Sequence, residues 1–289
     1  MQAEAPAVPV RRLLPAMRAL LVVFAVLTAL AVGALFVLAE QTAETFAWTI
    51  QPPLTAAFLG AGYAAGCVLV VLSLRDGVWA RTRVPLLTIL VFVVLTLVAT
   101  LVHVNRMHFD DDFGGLPLLP KLAAWFWLAV YVVVPVGMGL VIWWQERAPG
   151  DDPPPRHPLP RVLRAALAVE STVLLVVGAA LFVAPATATT LWPWPLTPFT
   201  GRVIAAWLVA FGVATALAAV GGDLERLRTA AIAYTVFGVL VAVAVARFAA
   251  TVEWSGPAAW GFAVAVVAVV GTGAAGWRRA PLLSGRHRG

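Results

Sequence analysis

Eight stretches of about 20 apolar residues, divided by short polar segments, dominate this chain. A helix of that length, rising about 1.5 Å per residue, matches the ~30 Å hydrocarbon core of a bilayer. The stretches run over approximately 17–39, 53–74, 84–104, 122–144, 162–184, 202–220, 229–249 and 257–277. The fold expected is therefore all-α: a polytopic membrane helical bundle of eight transmembrane helices. Composition agrees, since 62% of residues are hydrophobic and 12% charged, against the ~25% charged residues of an ordinary soluble domain. The segments between stretches are too short to hold a soluble core of their own, so a cytosolic enzyme domain is excluded. The first stretch follows Arg11, Arg12 and Arg18, yet it is longer than the ~7–15 residues of a signal-peptide core and lacks a convincing cleavage site; it is read as a retained span. Cys67 is the single cysteine, which leaves no intramolecular disulfide and no cysteine metal cluster.

Basic residues set the expected orientation, because short loops rich in Lys and Arg stay cytoplasmic. Sixteen fall in the N-terminal tail, the 75–83 loop, the 145–161 segment with the start of the fifth span, the 221–228 loop and the C-terminal tail. The opposite side holds Arg106, Lys121, Arg202 and Arg247. Both termini are thus expected in the cytoplasm and the protein in the cell membrane. The net charge of +6 needs no nucleic-acid partner, since it is what this rule places beside anionic lipid.

Offset by 145–146 residues, the first half aligns with the second: Leu35-Phe36-Val37 falls on Leu181-Phe182-Val183, Arg18 on Arg164, Pro52 on Pro198 and Gly66 on Gly212. In the last span of each half the offset becomes 134–135, bringing Gly137-x-Gly139 onto Gly271-x-Gly273. The expectation is a duplicated four-span unit, the two copies parallel because each has an even number of spans. Residues 1–145 form the first repeat, with an extra external loop near 105–117. Residues 146–161 are a Pro-rich cytoplasmic linker, read as an extended, semi-rigid spacer. Residues 162–289 form the second repeat and a basic tail.

Polar chemistry concentrates in two places. Glu170 is the only carboxylate placed deep within a span, where an ionisable group costs roughly 2.5–3.5 kcal/mol on insertion scales. Tyr234 lies at similar depth, so the pair is a candidate intramembrane ligand or proton site; the competing reading is a neutral Glu170 hydrogen-bonded to a neighbouring helix. Phe24 holds the equivalent position in the first half, making any such site single. The external insertion carries His103, Arg106, His108, Asp110, Asp111 and Asp112, nitrogen and oxygen donors for a divalent cation or a partner. Their spacing matches no zinc or EF-hand signature, so no metal is assigned and a solvated acidic loop is the plainer reading. Arg106 and Arg247 end equivalent spans and are candidates to face Glu40 or Glu44. Gly62-x-x-x-Gly66 gives the second span a face for close packing, and Pro135 with Gly137 and Gly139 makes the fourth a kink candidate.

The stretch Leu191-Trp-Pro-Trp-Pro-Leu-Thr-Pro-Phe-Thr-Gly-Arg-Val, followed by Trp207, resembles multi-pass integral membrane proteins of actinobacteria with no assigned function. That resemblance implies a membrane location and transfers no catalytic residue or cofactor. Nor does any phosphate-cradling loop, Ser-His-Asp set or haem-ligand pair stand out. Two non-enzymatic readings remain: a small-solute or ion permease with a site near Glu170, and a scaffold or accessory subunit with a membrane-protein partner. An intramembrane lipid-modifying enzyme is a third, weaker reading.

Overall fold

The computed structural model describes residues 9–109, 115 and 117–279. Eight helices long and apolar enough to cross a membrane span this region, giving the all-helical architecture of a polytopic membrane protein. They are α1 (Pro15–Val32), α2 (Pro53–Asp76), α3 (Trp79–Val102), α4 (Leu118–Glu146), α5 (Arg161–Val183), α6 (Pro198–Gly221), α7 (Leu224–Arg247) and α8 (Pro257–Arg279). Past Val32, α1 continues as one π-helical turn, Gly33–Val37.

Local chemistry sets the ends. Pro15, Pro53 and Pro198 occupy first-turn positions, where a missing N–H costs nothing. Thr197 caps α6 in a reciprocal pair with Thr200, and the Asp223 carboxylate caps α7 through the Arg226 N–H. Helices α2 and α6 both stop at glycines in the left-handed region, Gly77 (φ 68°) and Gly222 (φ 60°), a conformation that costs a side chain dearly. Pro135 lies inside α4 without ending it.

Packing places α2, α3, α6 and α7 at the centre, with α2 on α7 and α3 on α6. Around them α1 packs on α2, α5 on α6, α4 on α3 and α8 on α7. The outer helices meet one another sparsely, α1 with α4 and α5 with α8, which closes a ring with two thin seams. Their outward faces are apolar: Val22, Val26 and Leu30 on α1, Val169, Val173 and Val176 on α5, and Val264 and Val267 on α8 are all exposed. Rows of exposed aliphatic side chains on peripheral helices have lipid as their natural solvent.

At the arginine-rich end the backbone is stitched across. Leu13 N–H bonds the Gly77 carbonyl and Trp79 N–H the Arg11 carbonyl; Leu159 N–H bonds Gly222 and Leu224 N–H bonds His157 in the same manner. The Pro-rich segment is bonded to its neighbours along its length. Arg11 and Asp151 exchange contacts with Gly150 and Pro9, and the segment's Asp152 pairs with Arg83 at 3.0 Å. Arg83 also meets Glu146 at 2.7 Å, and Arg81 joins Asp76 and, across the bundle, Glu225. The segment's N–H and carboxylate groups thus bond to residues before and after it in the chain.

Candidate functional site

All eight spans line one cavity of about 620 Å³ inside the bundle. Its middle is aromatic. The Trp207 indole lies on Gly62 of α2, where a Cβ would fall 2.7 Å from the ring. It stacks on Phe92 with centroids 3.9 Å apart and on Phe211 at 5.5 Å. The tight approach explains Gly62 as a packing glycine, in line with the small face read from the sequence. Beside the stack, the Tyr63 and Tyr131 hydroxyls share a 2.5 Å hydrogen bond, which satisfies both polar tips within an apolar wall.

The cavity runs unevenly through the two halves. Toward the arginine-rich end of the first half, Met17, Leu21 and Met138 are fully buried and fill the space between α1 and α4. In the second half Leu163, Leu167, Thr272 and Gly276 line the cavity, and Leu163 and Leu167 are at the same time buried against Leu159, Leu224 and Leu227. On α4, Met138 is buried while the flanking Gly137 and Gly139 face open space, a Cβ at either meeting nothing within 4 Å. On α8, a Cβ at Gly273 would come within 2.5 Å of the Thr235 hydroxyl, so α7 and α8 lie in close contact there.

Glu170 and Tyr234 are brought together. The Tyr234 hydroxyl donates to Glu170 Oε2 at 3.3 Å, and Thr272 Oγ1 lies 3.1 Å from the same oxygen. Glu170 Oε1 is buried with no hydrogen-bond partner. Tyr234 and Thr272 form part of the cavity wall, so three helices, α5, α7 and α8, converge on one polar spot. Sequence reasoning misses Thr272. A threonine in a span usually bonds back to its own helix, and Thr272 does so to Ala268; only its approach to α5 reveals the second role.

Of the residues singled out around the 105–117 loop, the structure describes His103, Arg106 and His108, and the two histidines bond to different neighbours. Arg202 donates to His103 Nε2 at 2.6 Å and to the Phe182 carbonyl at 2.9 Å, and the His103 ring stacks on Phe199. Burial, then the positive charge of Arg202 and Arg106, holds the His103 pKa below its ordinary value. His108 is buried; its Nδ1 bonds the Phe46 carbonyl at 3.0 Å and its Nε2 the Thr49 hydroxyl at 3.2 Å. Burial lowers its pKa despite the opposing bond to Phe46. Both rings are thus engaged in structural bonds. Arg106 is exposed in the turn Val104–Arg106, and Asp110, Asp111 and Asp112 lie outside the described residues. Among the described residues no three His, Cys, Asp or Glu side chains converge as a metal site. The pairing of Arg247 with Glu40 or Glu44 does not form: Arg247 donates to the Phe36 carbonyl at 2.8 Å, because the π-turn leaves acceptors at the end of α1.

Compared with protein-family models, curated proteins and solved structures, the chain matches none.

Proposed function

We propose that this protein is a non-enzymatic membrane carrier or binding protein for a molecule that is itself dissolved in the bilayer, held in the central cavity with its polar group toward Glu170, Tyr234 and Thr272. One observation carries the reading: the cavity draws on every span, yet its walls are almost wholly apolar side chains. A hydrophilic solute or ion crossing there would give up its water without replacement bonds, a cost of several kcal/mol per polar group (order of magnitude). Within the permease class this favours an apolar or amphipathic substrate. A pocket of about 300–1,000 Å³ is the usual size for one small-molecule ligand, and 620 Å³ falls inside that range.

The same reading takes the bundle as two parallel four-span repeats, with both termini cytoplasmic. Recurrent details support the duplication: bridges at Arg12 with Val78 and at Pro158 with Asp223, left-handed caps at Gly77 and Gly222, and arginines Arg18 and Arg164 laid against those glycines. The dense arginine end supports the orientation.

The test is extraction of the full chain from its own membrane, with organic-phase mass spectrometry of what it retains. Wild type is expected to hold an apolar molecule that Gly66→Leu loses. Gly66 lines the cavity, and a Cβ there sits at ordinary contact, 3.7 Å from Thr28. Equal retention by the two proteins would overturn the reading. The scaffold alternative draws on Gly137 and Gly139, which leave room on α4 for a helix from another protein; a stoichiometric protein partner without ligand would favour it.

A further inference from the structure

We propose that the cavity opens sideways into the bilayer between α1 and α4, and that its ligand is an uncharged long-chain lipid with a hydroxyl end, whose hydrocarbon tail passes out through that mouth. This rests on the cavity reading above and names its substrate class and its route of entry.

Exposure places the mouth. Four residues of the cavity wall, Leu30, Leu119, Leu122 and Phe126, are more than half exposed, while the rest of the wall is buried or half-buried. Leu30 is on α1. The other three are on α4, spaced three and four residues apart and so on one face of that helix. Near the end of α4, Gln145 accepts from Leu14 N–H at 2.8 Å and donates to the Arg12 carbonyl at 3.0 Å, so α4 ends where α1 begins. Met17, Leu21 and Met138 pack together at that end, fully buried, and close the gap between the two helices there. Leu30 lies about 22 Å further along α1 from its start at Pro15, and Leu119, Leu122 and Phe126 lie in the opening turns of α4. The mouth therefore occupies the half away from the arginine-rich end. Above it the turn Thr42–Thr45 packs on α4, and Phe46 meets the Trp127 ring edge-on at 5.4 Å. Bounded at both ends, the gap faces sideways, level with the apolar outer surfaces whose natural solvent is lipid.

The wall sets the charge of what enters. Among the described residues no Asp, Glu, Lys, Arg or His lines the cavity. A phosphate, carboxylate or ammonium carried inside would leave water for a surface without an opposite charge, a large cost. Most hydroxyls of the wall are engaged locally: Thr28 donates to the Phe24 carbonyl at 2.6 Å, Thr88 to Val84 at 2.9 Å and Thr215 to Phe211 at 3.0 Å. Tyr234 and Thr272 differ, because they line the cavity and meet a group from another helix, Glu170, which stands behind them and is not part of the wall. The Tyr234 hydrogen is given to Glu170, and the one Thr272 hydrogen has Ala268 and Glu170 as its acceptors. Each hydroxyl oxygen is left with acceptor capacity and no hydrogen to give, which suits a ligand that donates one hydrogen bond, as an alcohol does. The rest of the wall, Phe92 and Trp207 included, is chiefly apolar surface for a chain.

The experiment places the full chain in phosphatidylcholine nanodiscs with a trace of a long-chain alcohol that carries a photoreactive diazirine, either beside the hydroxyl or at the chain end. Adducts are mapped by peptide mass spectrometry. The hydroxyl-side label is expected on the peptides of Tyr234 and Thr272, and the chain-end label on those of Leu30, Leu122 and Phe126. Leu30→Trp combined with Leu122→Trp, which crowds the mouth at two exposed positions, should cut the hydroxyl-side labelling about tenfold, the order of an overpacked contact. Val169→Trp combined with Val264→Trp, on the exposed faces of α5 and α8, should leave it unchanged. Equal melting temperatures of the two double variants separate a blocked mouth from lost folding. An alkyl sulfate and an alkylammonium of the same chain should label the interior about tenfold less than the alcohol. Equal loss in both double variants, or loss only in the α5 and α8 pair, overturns the mouth while the cavity reading stands. Interior labelling by the sulfate or the ammonium equal to that by the alcohol overturns the uncharged class. A wild type labelled inside by none of the probes removes the mouth and the cavity reading together.

Discussion

The Tyr234 hydroxyl of α7 and the Glu170 carboxylate of α5 meet at 3.3 Å on the wall of the cavity, on the same carboxylate oxygen that Thr272 of α8 approaches at 3.1 Å. Helices α5 and α8 otherwise touch little, so this contact carries much of what holds the seam. Glu170→Gln keeps an acceptor there and is expected to leave the melting temperature near wild type. Glu170→Ala strips the Tyr234 hydroxyl of its partner and should cost about 1–3 kcal/mol. Thermal unfolding of both variants in one detergent checks this; equal losses would mean that bonding at the seam contributes nothing.

Gly62 and Gly137 should respond in opposite ways to the same change. A methyl at Gly62 falls 2.7 Å from the Trp207 ring, so Gly62→Ala is expected to cost about 1–3 kcal/mol by overpacking. Gly137 has nothing within 4 Å, and Gly137→Ala should be neutral or gain up to about 1 kcal/mol from helix propensity. Paired thermal melts decide it, and a stabilising Gly62→Ala would contradict the packing described around Trp207.

Asp223 gives the bundle a defined acid sensitivity. Burial alone would raise its pKa, but the N–H groups of His157, Arg226 and Arg156 outweigh that and hold it below the usual carboxylate value. A folded-state pKa lower than the unfolded one, about 3.9, means that its contribution is complete above the unfolded value. That contribution disappears as pH falls through the folded value. Asp223→Ala is therefore expected to be less stable than wild type at pH 7 by about 1–3 kcal/mol, the gap narrowing below pH about 4. A gap that stays constant with pH would show that the charge is not what matters.

Arg81 on α3 and Glu225 on α7 form a half-sheltered pair across the centre of the arginine-rich end. Charge reversal at either residue should destabilise the protein. The double reversal, Arg81→Glu with Glu225→Arg, should recover part of the loss, with a coupling of about 0.5–3 kcal/mol. Additive losses would mean that the pair does not clasp the two helices. Asp76, which also holds Arg81 at 2.8 Å, limits the recovery because the carboxylate introduced by Arg81→Glu would face it.

Much of this fold is legible in hydropathy, since length alone identifies the eight spans. The starts of α3 and α7 are not, because Arg81 and Arg83 in one, and Glu225, Arg226 and Arg228 in the other, interrupt the apolar run within the first turn. Both helices begin about five residues earlier than hydropathy suggests, at Trp79 and Leu224. Glu170 and Tyr234 are legible as partners from equal depth, because helix rise converts residue number into height. Thr272 is not, since facing depends on how α8 is rotated against α7. The cavity is hidden for a similar reason: its walls are ordinary leucines, alanines and phenylalanines. Only packing marks the place: Met17, Leu21 and Met138 form a buried cluster in one half, while Leu163, Leu167 and Thr272 line the cavity in the other.

Electron cryomicroscopy of the full chain in nanodiscs of its native lipid tests the central claim most directly. The account predicts elongated density inside the bundle, running from the Trp207 stack toward Glu170, Tyr234 and Thr272 between α5 and α8. A cavity closed by inward packing of α4 and α8, or one filled with discrete waters and no continuous density, would contradict it.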